Sequence, residues 1–139
     1  MGSIDLNAFY RNGYAVLPQL FSSEEAEQMR DSIVELIGTL DREGAATRRD
    51  GNVVSPKGDM LTYEPLRRIL LDPRLIGAVR EVLGGDPVFW GESGVNVGDG
   101  YGGARAWHTD AYETPVTKGS RYPLVRCGLY LQDLSLIHI

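Results

Sequence analysis

The chain has 139 residues, 14 basic and 19 acidic, for a net charge of −5. That is room for one domain, and 42% hydrophobic with 24% charged residues is ordinary globular composition rather than disorder. The acidic balance argues against a nucleic-acid partner, no apolar run approaches the roughly 20 residues that span a bilayer, and a single cysteine excludes a disulfide framework. Met1 to Asn7 has neither a basic nor an apolar leader region, so the expectation is a cytoplasmic protein without membrane partners.

Asp5 to Arg11 reads as a short helix stopped by Asn12-Gly13. Tyr14 to Leu17 reads as a short strand closed by Pro18. Ser22, three residues before Glu25, forms a capping box, with Phe21 at the hydrophobic-staple position. Ala26, Met29, Ile33, Leu36, Ile37 and Leu40 then recur at helical spacing, and Gly38 weakens the last turn. Asp41 to Asp59 is polar and aperiodic, which predicts a loop whose arginines, Arg42, Arg48 and Arg49, are solvated; an anion contact is the alternative.

Tyr63 to Leu71 reads as a helical turn. Asp72-Pro73 is an N-cap followed by proline at the first helical position. Leu75, Ile76, Val79, Val82 and Leu83 continue it as an amphipathic helix that ends at Gly84-Gly85. After Pro87 the pattern turns to strands: Val88 to Trp90, Val95 to Val97, and Leu124 to Leu131. Helices first and strands afterwards predict an α+β fold.

Gly98, Gly100 and Gly103 formally match G-x-G-x-x-G, but no helix start or βαβ unit follows, so the stretch reads as a turn. The informative segment is Trp107-His108-Thr109-Asp110. In a strand, residues two apart share a face, so His108 and Asp110 present an imidazole and a carboxylate side by side. Such a pair suits a first-row divalent metal, and a further histidine would make it a 2-His-1-carboxylate facial triad. By itself H-x-D is weak. Cys127 reads as a small buried hydrophobe with no activating partner, and Tyr130 as either a site-lining or a core-facing residue.

Four stretches in order carry a family resemblance. Phe9, Gly13, Tyr14 and Val16 match an opening "F-x-x-x-G-Y-x-V"; Phe21-Ser22-Ser23-Glu24-Glu25 starts a helix in the same way; Trp107 to Asp110 matches a metal motif; Arg126 to Asp133 matches the strand that follows it. Together they resemble the phytanoyl-CoA dioxygenase family, which includes the ectoine hydroxylases. The resemblance implies N-terminal helices packed on a double-stranded β-helix (a cupin-like jelly roll) that here would be incomplete. It implies Fe(II), 2-oxoglutarate as co-substrate and O2, with oxidative decarboxylation to succinate coupled to hydroxylation of a small molecule. His108 and Asp110 would be two of the three metal ligands. Asn96 would contact 2-oxoglutarate or substrate, Glu92 would do likewise on the substrate side, and Trp107 would be a wall of the substrate pocket or a core residue.

The second histidine, in a "P-G-S-H"-like stretch, and the arginine that anchors the keto acid do not occur among the 139 residues. Residues 1–133 therefore read as the N-terminal part of a single dioxygenase domain, expected to be inactive alone and prone to aggregate. Residues 134–139 can be encoded as CTG-TCT-CTT-ATA-CAC-ATC, the end sequence of a transposase-based sequencing adapter. They read as a scar, so His138 is not counted as a ligand. Two other readings stay open on the residues alone: a cupin-like metal enzyme that is not an oxygenase, and a non-catalytic binding domain in which His108 and Asp110 are incidental.

Overall fold

The computed structural model of the chain describes residues 4–49, 52–90 and 124–131. Within them the order is α1 (Leu6–Asn12), α2 (Ser23–Arg42), β1 (Ala46–Arg49), β2 (Asn52–Pro56), a 3-10 turn (Met60–Thr62), α3 (Glu64–Leu70) and α4 (Pro73–Leu83).

Each helix starts and stops on a local chemical signal. Asp5 caps α1 by accepting from the Ala8 amide at 2.9 Å, and Gly13 ends it at φ 80°, in the left-handed region. At the start of α2, Ser22 Oγ accepts from the Glu25 amide at 3.1 Å and Glu25 Oε2 accepts from the Ser22 amide at 2.7 Å. That reciprocal pair satisfies two amide donors that a helix start otherwise leaves orphaned. Gly38 does not end α2, which runs on to Arg42. Its end is a Schellman motif: the Ala45 amide donates to Leu40 O at 2.7 Å and the Gly44 amide to Asp41 O at 3.1 Å, with Gly44 at φ 70°.

The apolar stripe of α2 supplies the core. Ile33, Ile37 and Leu40 are buried on one face, three and four residues apart. Ile33 and Ile37 cluster with Met60, Leu66 and Ile69, so the 3-10 turn and α3 lie against α2. Met29, Leu36, Tyr63, Leu70 and Leu131 pack around this cluster. Full burial of a side chain such as Ile37 stabilises the fold by about 1.5–3 kcal/mol before chain entropy is counted.

Residues 41–59, expected as a loop, contain the one sheet among the described residues. β1 and β2 pair antiparallel in the register Ala46–Pro56, Thr47–Ser55, Arg48–Val53 and Arg49–Asn52. The register slips between Thr47 and Arg48, which makes Val54 the extra residue of a β-bulge. The hairpin lies against α2. It forms despite its polarity because its ladder needs backbone groups, and Lys57 extends it by donating its amide to Ala45 O at 2.8 Å.

The strands expected elsewhere fare differently. Tyr14 to Leu17 joins no ladder among the described residues, and Val16 is 75% exposed. Four residues of favourable composition have no strand to pair with among the described residues. Val88 to Trp90 and Leu124 to Leu131 also form no ladder among the described residues, and Val95 to Val97 lies outside them. The architecture seen is thus mostly helical with one small antiparallel sheet, and the jelly roll is not seen among the described residues. No helix among the described residues is long and apolar enough to cross a membrane.

Candidate functional site

All five residues singled out for chemistry, Glu92, Asn96, Trp107, His108 and Asp110, lie outside the described residues, as does His138. The described residues therefore carry neither histidine of the chain. Among them no group of three His, Cys, Asp or Glu side chains could hold a metal ion. What the structure does place is the two ends of the segment that contains the candidates.

The chain leaves α4 through Gly84, whose φ of 68° allows the helix to end and whose amide donates to Arg80 O at 2.9 Å. Arg80 Nε then meets Asp86 Oδ1 at 2.9 Å across this turn. Val88 and Trp90 follow, both exposed. On the return side, Leu131 is packed on the α2–α3 core, whereas Leu124 and Tyr130 are exposed. The position of a glycine Cβ at Gly128 would lie 3.4 Å from the Tyr130 ring, so that ring covers its own backbone rather than facing the core. Cys127 is exposed, contrary to the buried hydrophobe expected. Neighbouring atoms still desolvate the thiol in part and push it above its ordinary pKa.

A clasp that sequence reading missed joins the starts of α2 and α4. Arg74 Nε and Nη2 both donate to Asp72, each at 3.0 Å, a bidentate grip on the cap of its own helix. Its Nη1 reaches Glu25 Oε1 at 2.8 Å, on the first turn of α2. Its guanidinium also lies 4.4 Å from the centre of the Phe21 ring, a cation–π contact. One arginine thus joins the N-termini of α2 and α4. The Ser22 amide and the Arg74 guanidinium hold the Glu25 carboxyl below its ordinary range. The bidentate Arg74 contact does the same for Asp72, and both carboxylates push the guanidinium upward. Asp72-Pro73 announces the cap, but no local signal pairs Arg74 with a glutamate 49 residues away (74 − 25).

Arg48, expected to be solvated, is bound to Asp41: its Nε donates to Oδ1 at 2.7 Å and its Nη2 grips Oδ2. This ties β1 to the end of α2, and Arg48 holds the Asp41 carboxyl below its usual range. Arg42 donates to Thr39 Oγ1 at 3.1 Å. The side chain of Arg49 lies outside the described residues. Both clasps hold elements together, and their guanidinium groups are engaged by carboxylates rather than offered to a ligand anion.

Comparison with known proteins bears on the segment the geometry only brackets. The family model described as "Phytanoyl-CoA dioxygenase (PhyH)" matches residues 9–136. Among curated proteins, the "Ectoine dioxygenase" of Halomonas elongata is 28% identical over 123 residues, which cover 82% of this chain and 35% of that protein. The protein of the same name from Bordetella parapertussis is 29% identical over 140 residues, 92% of this chain and 43% of its own length. That from Sphingopyxis alaskensis is 30% identical over 112 residues, 77% and 36%. The chain thus spans less than half the length of these curated relatives. No solved structure matches.

Proposed function

The chain belongs to the phytanoyl-CoA dioxygenase family, an oxygenase lineage that depends on 2-oxoglutarate, and from that membership we propose that His108 and Asp110 contribute to an Fe(II) centre for oxidising a small molecule. The observation that supports the reading is the family match across residues 9–136, a span that contains Trp107-His108-Thr109-Asp110.

The donor set fits the metal. An imidazole and a carboxylate two residues apart in an extended segment share a face, and that mixed pair suits a first-row divalent ion. His108 must be neutral and Asp110 ionised to serve as ligands, so metal uptake strengthens as pH rises through the imidazole range. Asn96 would offer an amide to 2-oxoglutarate, and Glu92 and Trp107 would take part in binding the substrate. When bound, iron and 2-oxoglutarate supply the oxidation, with decarboxylation to succinate, while the protein supplies geometry and exclusion of water. The sequence holds two of the three ligands such a triad needs, so the 139-residue chain binds Fe(II) weakly and forms little succinate.

Anaerobic titration of the chain with Fe(II) in the presence of 2-oxoglutarate, followed by visible charge-transfer absorption, tests the assignment. The expected result is a weak band that is lost in both His108→Ala and Asp110→Ala. An equal band in both variants places the metal elsewhere and defeats the assignment. No band at any iron concentration favours the non-catalytic binding domain instead.

A further inference from the structure

The N-terminal helix is attached to the molecule in an unusual way. α1 has seven residues and none of them is buried. A helix this short does not persist in water on its own propensity, so its docking contacts hold it. Two hydrogen bonds supply polar contacts across more than 70 residues of sequence. The Ile4 amide donates to Glu81 Oε1 at 3.0 Å, and the Tyr10 hydroxyl donates to Val82 O at 3.0 Å. Both partners belong to the last turn of α4.

That turn is where carbonyls lack intrahelical donors. Gly84 satisfies Arg80 O, while Val82 O receives its hydrogen bond from Tyr10. Tyr10 is thus a capping group for α4, delivered from the other end of the chain. Its ring stands edge-on to Phe9 at 5.4 Å and is otherwise largely exposed. By contrast α2, α3 and the 3-10 turn share the buried cluster built on Ile37.

We propose that α1 and the last turn of α4 form one cooperative latch that opens separately from the α2–α3 core. When α1 lifts, Val82 O loses its donor and the end of α4 frays. When the end of α4 frays, Tyr10 in α1 and Ile4 just before it lose their acceptors. Coupling of this kind is reciprocal by thermodynamic necessity. The latch sits at the root of the segment leading to residues 91–123, because the chain leaves α4 through Gly84-Gly85.

Hydrogen–deuterium exchange with mass spectrometry on the whole chain tests this in both directions. In the wild type, amides of residues 4–13 exchange faster than those in the middle of α2. Tyr10→Phe keeps the ring and removes only the hydroxyl. It is expected to speed exchange in residues 4–13 and also in residues 80–86, by roughly two- to tenfold, the shift for one net hydrogen bond. Gly84→Ala meets open space but imposes a side chain at φ 68°, so it loosens the end of α4 without touching α1. It is expected to speed exchange in residues 4–13 as well. In both variants the middle of α2 keeps its wild-type rate. Exchange that rises in one element alone overturns the coupling. Exchange that rises equally in α2 overturns the separation from the core, and so does a wild-type α1 as slow as α2.

Discussion

Ile37 and Tyr130 are both large apolar-bodied residues, yet one is 1% exposed and the other 70%. They represent two regions. The body from Ser22 to Leu83 has capped helices, a paired hairpin and a shared core. The described stretches 84–90 and 124–131 carry Val88, Trp90, Leu124 and Tyr130 on their surface, and among the described residues only Leu131 of these stretches packs on the core. The difference lies in where each element finds its partners. A helix satisfies its backbone within itself and needs a neighbour only for one face. A strand needs a neighbour for its backbone as well as its face.

The largest expected effect breaks the body directly. Ile37→Ala leaves a cavity at the most buried position, and chemical denaturation should report a loss of about 2–5 kcal/mol. A loss below 1 kcal/mol would mean the α2–α3 core is not what holds the fold.

The next effect addresses the clasp between the starts of α2 and α4. Glu25 and Asp72 both have carboxyl groups lowered in the folded state, the first by the Ser22 amide and Arg74, the second by Arg74. A group with a lowered folded value binds protons more readily when unfolded. Its stabilisation is therefore complete above the ordinary carboxylate range and is lost as pH falls through the folded values. Arg74→Gln removes the charge that both share. Melting curves from pH 6 down to pH 2 should show wild type losing stability faster than the variant, so that the two converge in acid. Parallel curves would show that Arg74 acts by packing on Phe21 alone.

The smallest effect sharpens the contrast. Tyr130→Ser changes an exposed residue whose ring lies over Gly128, and should alter stability by no more than about 0.5 kcal/mol. A loss near that of Ile37→Ala would show the 124–131 stretch to be as firmly held as the body.

The body was legible because its signals are local. Ser22 with Glu25, Asp72 with Pro73, and Gly13 and Gly84 at helix ends each act within four residues, and all stand where the sequence places them. The hairpin was missed because Thr47 and Arg48 offer no apolar alternation to read. Its signal was the turn dipeptide Asp50-Gly51 between two short runs, which favours a two-residue hairpin connection. Arg48 and Arg74 were misjudged or missed because their partners are set by tertiary contact. The candidate site is a sequence motif only, His108 with Asp110, because it lies in residues 91–123, outside those described.

The Arg74–Glu25 contact also has a topological side. It pins two points 49 residues apart (74 − 25), and the hairpin and α3 lie on the loop between them. The entropy of closing such a loop grows only logarithmically with its length, about 0.6 kcal/mol per doubling. Extra residues inserted between Arg49 and Asn52 would therefore barely strain the clasp. This makes the span between the strands the natural place to graft a foreign peptide while leaving both helix starts joined.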